Sequence, residues 1–412
     1  METNITVLSF IIMASMDKDK DFRDSYKWTK INLGLVGAWP NENTSIIKKC
    51  QVIINAILMI TCVYIPRFVA LYFFRKNLNG LVYSASTNLM FIISVFKIAV
   101  ILYYQDVFVK MFNEISNDWN RSVAAGYYHI IKKYANISRN MSFSTFLMVW
   151  SGCTVATVAQ KYSNMEIDKK NTPDPRLTID LVWVSYVPYN VHTSRTIFII
   201  HWILQWYASV IGAIMYGAFD SFCVFLMFHL IGQLKVLQEI IHNINEKKKI
   251  SENIITKLKY VVKRHQELIR FATILEKCFN KILLIQLISS CLNFTAQGYL
   301  LLGGLVKGEM TLSQQIMTIL YGLYSLSHFF FLCYSGEVLE QASINIGYAA
   351  YETQWYNFKK NEKFLIMFII QNTLEPLKIT TFKYSSLSYY LFFTVLKTSF
   401  SYLSVLLAVK YQ

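Results

Sequence analysis

Seven apolar stretches, each long enough to cross a lipid bilayer as a helix, dominate the sequence. A transmembrane α-helix needs about 20 mainly apolar residues. Seven runs meet this requirement, at about 50–74, 81–104, 140–160, 197–230, 279–306, 314–334 and 384–409. The apolar residues form continuous runs rather than alternating with polar ones, which is typical of helices rather than barrel strands. The predicted fold class is therefore an all-α membrane protein with seven transmembrane helices.

The distribution of basic residues predicts the orientation of this bundle. Only 16% of the 412 residues are charged, yet the formal net charge is +15. Of the 40 lysines and arginines, 28 lie in segments 1–49, 105–139, 231–281 and 335–383, and 10 lie in segments 66–80, 161–196, 303–313 and the C-terminus. Because basic residues concentrate on the cytoplasmic side, the N-terminus is predicted to be cytoplasmic and the C-terminus extracellular. The basic excess thus indicates orientation rather than nucleic-acid binding.

This inverted topology separates the chain from the G-protein-coupled receptors. Those receptors have an extracellular N-terminus, and a disulfide typically tethers their second outer loop. Here none of the predicted outer loops contains a cysteine, and nearly all of the seven cysteines lie in or beside apolar runs. They are expected to act as small buried hydrophobic residues.

The whole chain, 1–412, is predicted to form one membrane domain. Leucine and isoleucine recur at three- and four-residue spacing beyond the fourth span, through 229–249, and again after a break near 250–253. These are amphipathic cytosolic extensions of spans four and five, and 337–371 is a third amphipathic stretch. The expected parts are the cytoplasmic segment 1–49, spans one to four in 50–230, the extensions in 231–281, spans five and six in 279–334, a cytoplasmic anchor helix in 335–383 and the seventh span in 384–409.

The outer segment 161–196 combines three prolines with the apolar stretch 181–189. Prolines at this density preclude a continuous helix. The apolar stretch is poorly suited to water, which favours a lid packed on the outer helix ends, and a plain irregular loop is the alternative.

Three ionisable residues, Lys97, Asp220 and Lys397, stand out inside predicted spans. Charges in lipid are costly, so such residues are candidates for function. Lys97 is expected to extend toward the cytosolic headgroups. Asp220 has a short side chain and is expected to face the bundle interior and a donor there. A structural ion pair and an ion path are both compatible with it.

The seventh span carries an unusual number of hydroxyl side chains. On a helical wheel a stripe of small and hydroxyl residues runs along it, with a lysine beside the stripe. One interpretation is close helix packing, and the other is a pore wall closed by a hydrophobic ring that gates by dewetting. The candidate pore and gate residues are Thr394, Lys397, Thr398, Ser401, Val405 and Val409.

The sequence lacks the usual signatures of catalysis and of cofactor binding. It contains no metal-ligand spacing of histidines, no pair of cysteines two residues apart, no phosphate-binding loop and no nucleophile elbow. We therefore expect no catalytic residue, no metal and no cofactor. A membrane acyltransferase using His328 with Asn293 is one alternative, although a hydrogen-bonded interior histidine is favoured. A transporter is a second alternative, but no inverted repeat is evident.

The C-terminal third carries the most specific resemblance. Segments 333–358 ("CYSGEVLEQASINIGYAAYETQWYNF") and 377–407 ("LKITTFKYSSLSYYLFFTVLKTSFSYLSVLL"), together with the inverted topology, resemble the insect odorant receptors. The resemblance implies an odorant-gated, non-selective cation channel that forms a heterotetramer with the odorant co-receptor subunit. It places the gate at Val405, with Val409 one turn outward, and makes the cytosolic stretches an anchor domain where subunits meet. It also implies a multi-pass protein in the plasma membrane, at the dendrites or cilia of olfactory neurons.

The resemblance also distinguishes subfamilies. The co-receptor has a long insertion between spans four and five, and this loop is short here, so the chain resembles a tuning subunit. Gustatory receptors, a related alternative, end in a Thr-Tyr motif followed by Gln-Phe. Here Ser401 precedes Tyr402 and no Gln-Phe pair follows, which favours the odorant branch. Lys397 matches no position of the family pattern.

In this family the odorant binds in the outer half of the bundle, among spans two to six. The partners implied are a small volatile organic ligand, the co-receptor and membrane lipid, with no nucleic acid. Recognition is expected to depend on shape, because the matching positions are mostly apolar, and a ligand would act by shifting a closed–open equilibrium. Core packing or lipid contact is the alternative role for these residues. The pocket residues implied by the resemblance are Thr87, Met90, Phe91, Met148, Ser151, Gly152, Tyr207, Ile211, Met215, Tyr321 and Tyr324.

Overall fold

The computed structural model describes residues 18–42, 45–73, 78–162, 176–178, 180–245, 254–307 and 312–411, and it is almost entirely helical. A π-helical segment, Met59–Tyr64, joins the third helix to the fourth without a break. The helices are α1 (18–25), α2 (Lys27–Val36), α3 (Ile46–Leu58), α4 (Ile65–Phe73), α5 (Leu78–Tyr103), α6 (Gln105–Ala124), α7 (Tyr128–Tyr162), α8 (Arg195–His242), α9 (Ile254–Lys307), α10 (Leu312–Glu352), α11 (Lys360–Thr373) and α12 (Tyr389–Tyr411).

Two antiparallel hairpins with two-residue strands and three short 3₁₀ helices, Val191–Thr193, Asn243–Asn245 and Trp355–Asn357, complete the described secondary structure. In the first hairpin, β1 (Leu177–Thr178) pairs with β2 (Ser185–Tyr186) in the outer segment. In the second, β3 (Thr380–Thr381) pairs with β4 (Ser385–Ser386) just before α12. The seventh apolar run was expected to begin its helix at 384, but the helix begins at Tyr389, because the preceding residues are held in this second hairpin.

The described residues of each predicted span are helical, apart from Tyr104 at the end of the second and 384–388 at the start of the seventh. Four helical stretches in the described ranges are long and apolar enough to cross a membrane, namely Ile46–Phe73, Gly80–Tyr103, Arg195–His242 and Tyr389–Ala408. The other three predicted spans, 140–160, 279–306 and 314–334, lie within α7, α9 and α10. The all-α fold class is thus confirmed, and the count of seven spans and their orientation stay predictions.

Helices α8 and α9 are far longer than a membrane crossing requires. They contain 48 and 54 residues, which at 1.5 Å per residue gives lengths of about 70 and 80 Å. The hydrocarbon core of a bilayer is about 30 Å thick. Both helices are therefore long enough to extend well beyond a bilayer, as the amphipathic pattern predicts. The predicted break near 250–253 lies outside the described residues.

Helix α8 forms the centre of the molecule. Between Ile211 and Gln238 most of its residues are buried on every side, which is what a helix that is apolar all round requires. It packs most extensively against α7 and α10, and also against α2, α5 and α9. The interior of the bundle is therefore arranged around α8.

The predicted anchor segment 335–383 is divided into parts. Helix α10 continues into it as far as Glu352, and α11 then folds back against α10 and α9. The Glu362 side chain accepts a hydrogen bond of 2.8 Å from the Lys359 backbone N–H and so caps the start of α11. Two helices and a hairpin thus replace the single predicted anchor helix.

The described part of the outer segment packs onto the helix ends. Leu181, Val187 and Val191 are buried, and they form a small cluster with Phe198 and Trp202 of α8. The burial of this apolar stretch favours the lid over an irregular solvated loop.

Candidate functional site

A cavity of about 490 Å³ opens between the helices at the end of the bundle that the outer segment 161–196 packs on, the predicted extracellular end, here named the outer bundle. Its wall is formed by α5, α7, α8, α9 and α10, and two residues of the outer segment form part of it. Most lining groups are apolar or aromatic, as in sites for small organic molecules. The lining residues are Tyr83, Thr87, Met90, Phe91, Ser94, Met148, Val149, Ser151, Gly152, Cys153, Val182, Trp183, Trp206, Ser209, Val210, Gly212, Ala213, Gln297, Thr318, Leu320, Tyr321, Leu323 and Tyr324.

The structure brings eight of the eleven predicted pocket residues together around this cavity. They come from three helices: Thr87, Met90 and Phe91 of α5, Met148, Ser151 and Gly152 of α7, and Tyr321 and Tyr324 of α10.

The three predicted pocket residues of α8 lie outside the lining. Ile211 and Met215 are buried in the main core, and the Tyr207 hydroxyl donates a hydrogen bond of 3.0 Å to Asn55 Oδ1 of α3. The part of α8 that lines the cavity is instead the face carrying Trp206, Ser209, Val210, Gly212 and Ala213.

A glycine brings α8 close to the cavity wall. A Cβ atom at Gly212 would lie 3.0 Å from Cδ1 of Phe91 and 3.2 Å from Cε of Met59. Such contacts are tighter than ordinary packing, so a larger residue at position 212 would displace the Phe91 ring. Gly212 therefore sets the position of one aromatic side chain of the cavity.

Trp183 closes the outer side of the cavity, and sequence reasoning did not assign it to the pocket. Its backbone N–H donates to Gln205 Oε1 at 2.9 Å, and its indole Nε1 donates to Ser209 Oγ at 2.8 Å. Gln205 Nε2 also donates to Ser185 Oγ at 2.7 Å. The signal for this contact was the apolar stretch 181–189, whose burial anchors the outer segment to α8.

Arg67 is a buried cation directly behind the cavity wall. Only 2% of its surface is exposed. Its Nε donates to Asn88 Oδ1 at 2.8 Å, and its Nη2 donates to Thr87 Oγ1. The guanidinium carbon lies 4.3 Å from the centre of the Trp183 ring and 5.6 Å from that of Phe91. Three of these partners, Thr87, Phe91 and Trp183, line the cavity.

A network of charged and polar side chains lies farther along the bundle, around Lys97 and Asp220. Lys97 Nζ lies 2.7 Å from Asp220 Oδ1 and also donates to the Tyr216 carbonyl at 3.0 Å. The expectation that Lys97 extends to the headgroups is wrong, because its ammonium is fully buried against this carboxylate. Asp220 faces the interior and a donor, as predicted.

Two further polar side chains complete this network. Gln286 Nε2 donates to Asp220 Oδ2 at 2.8 Å, and His328 Nδ1 lies 3.5 Å from the same oxygen. Asn293 instead interacts with Ser289 and Tyr321, at 3.4 Å each. The His328–Asn293 pair considered for acyl transfer is therefore not assembled.

The candidate pore residues lie on the outward face of α12. The opposite face, with Leu391, Val395, Ser399 and Leu403, is buried against the rest of the chain. Val405 is 61% exposed. Thr394, Lys397 and Ser401 are exposed as well, Thr398 is half-buried, and the side chain of Val409 lies outside the described part of the structure.

An ion cluster ties together the helices on the predicted cytosolic side. Arg264 Nη2 lies 2.6 Å from Asp118 Oδ2, and Arg264 Nη1 lies 2.9 Å from Glu267 Oε2. His229 Nε2 is 3.3 Å from Asp118 Oδ2. Burial alone would raise the pKa of Asp118, but the hydrogen bonds and charges of His229 and Arg264 outweigh it and hold that pKa below its ordinary value. The cluster therefore fixes α6 to α8 and α9.

The fold and the cavity define an all-helical class of protein, with helices apolar and long enough to cross a membrane and with a mainly apolar internal cavity. The sequence profile described as 7tm Odorant receptor matches residues 77–400. The chain therefore belongs to the 7tm odorant receptor family. Members of this family are membrane receptors and not enzymes.

Similar proteins agree with this assignment. The chain is 28% identical to Odorant receptor 13a of Drosophila melanogaster over 259 residues, which cover 60% of each protein. It is 26% identical to the Odorant receptor coreceptor of Aedes aegypti over 153 residues, which cover 37% of this chain and 31% of the coreceptor. The matched part thus spans about three fifths of the length of the first relative and a third of the second. The longer match fits a tuning subunit better than a co-receptor.

The same fold has been solved before. The insect olfactory receptor OR5 from Machilis hrabei aligns with a TM-score of 0.78 at 17% sequence identity, covering 94% of this chain and 98% of that one. Its structure in complex with eugenol aligns with a TM-score of 0.77 at 18% identity, over 94% of this chain and 100% of that one. This likeness concerns the fold.

Proposed function

We propose that this chain is the odorant-binding subunit of a ligand-gated, non-selective cation channel. In this proposal it crosses the membrane seven times, with a cytoplasmic N-terminus, and binds small volatile molecules in the cavity of the outer bundle. Helix α12 lines the pore. The observation that carries the proposal is the polar face of α12, which is turned away from the chain's own core.

The outward face of α12 is poorly suited to lipid. It exposes Lys397 and a row of hydroxyl side chains, with Phe393 and Phe400 exposed beside them, whereas the opposite face packs on α9 and α10. A charge facing hydrocarbon is costly, so such residues usually face water or another protein surface. A pore shared between subunits provides both environments. Val405, on the same face, would then form the hydrophobic ring that closes the pore by dewetting.

The cavity provides the ligand site. Its volume lies in the range typical of small-molecule pockets, and its lining is largely aromatic and aliphatic. Odorant receptors are the family to which the chain belongs, and the Machilis receptor of the same fold has been solved with eugenol. A volatile molecule in this cavity would contact five helices at once.

Helix α9 connects the cavity to the pore helix. Gln297 lines the cavity, and the adjacent Gly298 packs so closely on α12 that a Cβ atom there would lie 2.8 Å from Leu403 Cδ2. Ser399 of α12 also donates to the Cys291 carbonyl of α9 at 3.1 Å. A ligand that fits the open arrangement better would shift the equilibrium through these contacts, by as much as its affinities for the two states differ.

The proposed partner is the odorant co-receptor, in a heterotetramer. The match to coreceptor sequences supports relatedness between the two kinds of subunit. On the predicted cytosolic side the chain exposes several large aromatic residues, Tyr348, Tyr351 and Tyr356 among them. Exposed aromatic side chains are common at protein–protein interfaces. Such assemblies would lie in the plasma membrane of olfactory dendrites or cilia.

Co-expression with the co-receptor in oocytes tests the proposal. Odorant-evoked, non-selective cation currents that require both chains are the expected result. Absence of current across a broad odorant panel, with both chains confirmed at the surface, would reject the channel.

The variant Val405→Ala tests the pore assignment. Removing two methyl groups from a hydrophobic constriction should raise the basal current severalfold or alter permeability, because a wider ring is easier to wet. Ser404→Ala is the matched control, since Ser404 is the neighbouring exposed residue outside the predicted stripe. Unchanged basal current, permeability and gating in Val405→Ala would remove this residue from the gate.

Epitope tags test the proposed topology. A tag after residue 412 should be stained on intact cells, whereas a tag before residue 1 should be stained only after permeabilisation. The reverse pattern would overturn the inverted orientation and leave the cavity assignment intact.

A further inference from the structure

The cavity region contains buried hydrogen-bond donors for which the described part of the chain provides no partner. Gln297 Nε2 and the Tyr324 hydroxyl belong to residues that line the cavity, and neither atom has a hydrogen-bond partner among the residues that the structure describes. Behind the cavity wall, Arg67 Nη1 and Asn88 Nδ2 also lack a hydrogen-bond partner among the described residues. Gln297, Arg67 and Asn88 are each more than nine-tenths buried. Two unpaired donor groups thus belong to the lining of one apolar cavity, and two more lie behind its wall.

Unpaired buried polar atoms of this kind are unusual. The large majority of buried polar groups in proteins are hydrogen-bonded, because leaving one unpaired costs its lost hydration without compensation. When such groups line a cavity, a ligand atom is the natural partner. The chemical type of the unpaired atoms therefore indicates which group of a ligand would form hydrogen bonds with them.

The unpaired set consists almost wholly of donors. An amide nitrogen and a guanidinium nitrogen can only donate, and a phenol hydroxyl can donate or accept. Among buried side-chain atoms without a partner in the described ranges, Asn280 Oδ1 can only accept, and it lies outside the cavity lining. The complementary ligand group is therefore a hydrogen-bond acceptor that carries no O–H or N–H donor itself.

The two lining donors come from facing helices. A Cβ atom at Gly322 of α10 would lie 3.9 Å from Gln297 Cβ of α9, so the helices approach closely at this level. Tyr321 and Tyr324, three residues apart on α10, lie on one face of that helix. The Tyr321 hydroxyl already donates to Asn293 Oδ1, which leaves Gln297 and Tyr324 as the available pair.

The charge of Arg67 strengthens the same preference. No carboxylate lies within ion-pair distance of its guanidinium in the parts of the chain that the structure describes. A buried positive charge without a counter-ion favours the negative end of a nearby dipole. Thr87, Phe91 and Trp183 separate it from the cavity, so it acts on a ligand mainly through its field.

We propose that the cavity selects small carbonyl compounds, ketones and esters, whose oxygen accepts hydrogen bonds from the Gln297 amide and the Tyr324 hydroxyl. This rests on the proposed odorant-binding role and adds a chemical class to it. Shape alone, as the apolar lining indicates, would not separate a ketone from a hydrocarbon of the same outline. The two donors would separate them, because a hydrocarbon leaves the donors without a hydrogen-bond partner.

Isosteric ligand pairs test the proposal directly. Acetophenone and α-methylstyrene have the same shape, and so do cyclohexanone and methylenecyclohexane; in each pair a CH₂ group replaces the carbonyl oxygen. Binding is measured as ligand-induced thermal stabilisation of the purified complex with the co-receptor. We expect each ketone to bind about tenfold more tightly than its alkene, which corresponds to about 1.4 kcal/mol.

Variants assign that preference to the two side chains. Gln297→Leu and Tyr324→Phe should remove most of the ketone preference and leave alkene binding unchanged. Gln341→Leu and Tyr334→Phe make the same chemical changes on α10 away from the cavity, and they should keep the preference. Equal binding of ketone and alkene by the unmodified protein would overturn the proposal. A loss of affinity in the variants that is equal for the two ligands would overturn it as well.

Currents recorded in parallel separate this proposal from the channel function. Ketone-selective stabilisation without any current would support the carbonyl site and reject the channel. Currents evoked equally by both members of each pair would support the channel and reject the carbonyl site. Failure of every probe to bind would reject the carbonyl site.

Discussion

Lys97 and Asp220 are two opposite charges in the apolar interior, and each depends on the other. Lys97 Nζ lies 2.7 Å from Asp220 Oδ1, and both side chains are almost completely inaccessible to solvent. A buried pair gains little net stability over apolar residues of the same volume, because both charges lose their hydration. Removing one member is much worse, since the remaining charge stays buried without compensation.

Asp220→Asn is therefore expected to destabilise the protein by about 3–5 kcal/mol. The measurement is the apparent unfolding temperature of the complex in detergent, followed together with surface expression. The double variant Lys97→Met/Asp220→Asn should recover part of the loss, because it removes the stranded ammonium. Glu340→Gln is the control: it breaks the partly exposed pair with Lys378 at 2.9 Å and should cost less than about 1 kcal/mol. A small effect of Asp220→Asn, equal to this control, would contradict the interpretation.

The sequence identified these charged residues but could not identify their partners. Lys97 and Asp220 are 123 positions apart, and only the packing of α5 on α8 brings them together. Lys97 was expected to reach the headgroups because a long side chain in an isolated span can do so. Arg67 was counted with the basic residues of the predicted outer loop 66–80. Its burial depends on α5 and on the outer segment 161–196, and neither contact can be predicted from the sequence of the first span alone.

At the level of helices, one contact between α10 and the segment before α12 leaves no space for a side chain. A Cβ atom at Gly336 would overlap the Leu387 carbonyl oxygen and would lie 2.5 Å from Leu387 Cβ. The Leu387 backbone is itself fixed, because its N–H donates to the Ile379 carbonyl at 2.8 Å. This contact sets where α12 begins relative to α10.

Gly336→Ala should consequently displace the start of α12 and destabilise the protein by about 1–3 kcal/mol. Helix propensity acts in the opposite direction, since alanine is about 1 kcal/mol better than glycine within a helix. Gly34→Ala in α2 isolates that propensity, because a Cβ atom at Gly34 meets nothing within 4 Å. Unfolding temperatures compare the two variants. A Gly336→Ala protein as stable as Gly34→Ala would show that the segment can move aside at little cost.

Helical phase shows how far the sequence predicts the site. The apolar runs gave the helices, and on α5, α7 and α10 the chosen faces line the cavity. On α8 the predicted set Tyr207, Ile211 and Met215 is one residue, or about 100°, away from the face carrying Trp206 and Val210. Because α8 is apolar all round, its periodicity does not indicate which face meets the cavity. That choice depends on the neighbouring helices.

The π-helical segment Met59–Tyr64 limits prediction in a similar way. Each hydrogen bond of a π-helix closes over five residues instead of four, so the helix beyond Tyr64 is rotated relative to a uniform α-helix. Arg67 lies on this rotated part and is buried against α5 and the outer segment. A period of 3.6 residues does not predict such a shift, so the burial of Arg67 could not be read from the periodicity of this run.

At the level of the whole molecule, the basic residues that gave the orientation also hold the predicted cytosolic helices together. Arg264 joins Asp118 of α6 to Glu267 on its own helix. Lys132 of α7 pairs with Asp21 of α1 at 2.7 Å. These contacts connect segments that the sequence predicted to be cytosolic from charge alone, although their partners depend on the fold.

His265, next to Arg264 on α9, links the stability of the whole fold to pH. It is buried, and burial lowers the pKa of this histidine to about 4, from an ordinary value of 6.5. The folded state therefore binds fewer protons than the unfolded state between these values. Stability from this residue is complete above pH 6.5 and is lost as the pH falls toward 4, by about 3 kcal/mol in all. The carboxylate of Asp118 does not contribute in this window, because its pKa lies below 3.8.

The expected outcome is an unfolding temperature of the purified complex that falls steadily between pH 6.5 and 4.5. His265→Phe should flatten this decline, since the phenyl ring has no proton to bind and can occupy the same buried position. The exposed His129 of α7 provides the control, and His129→Phe should leave the pH profile unchanged. If His265→Phe retains the full acid decline, protonation at other sites destabilises the protein and His265 is not the group responsible.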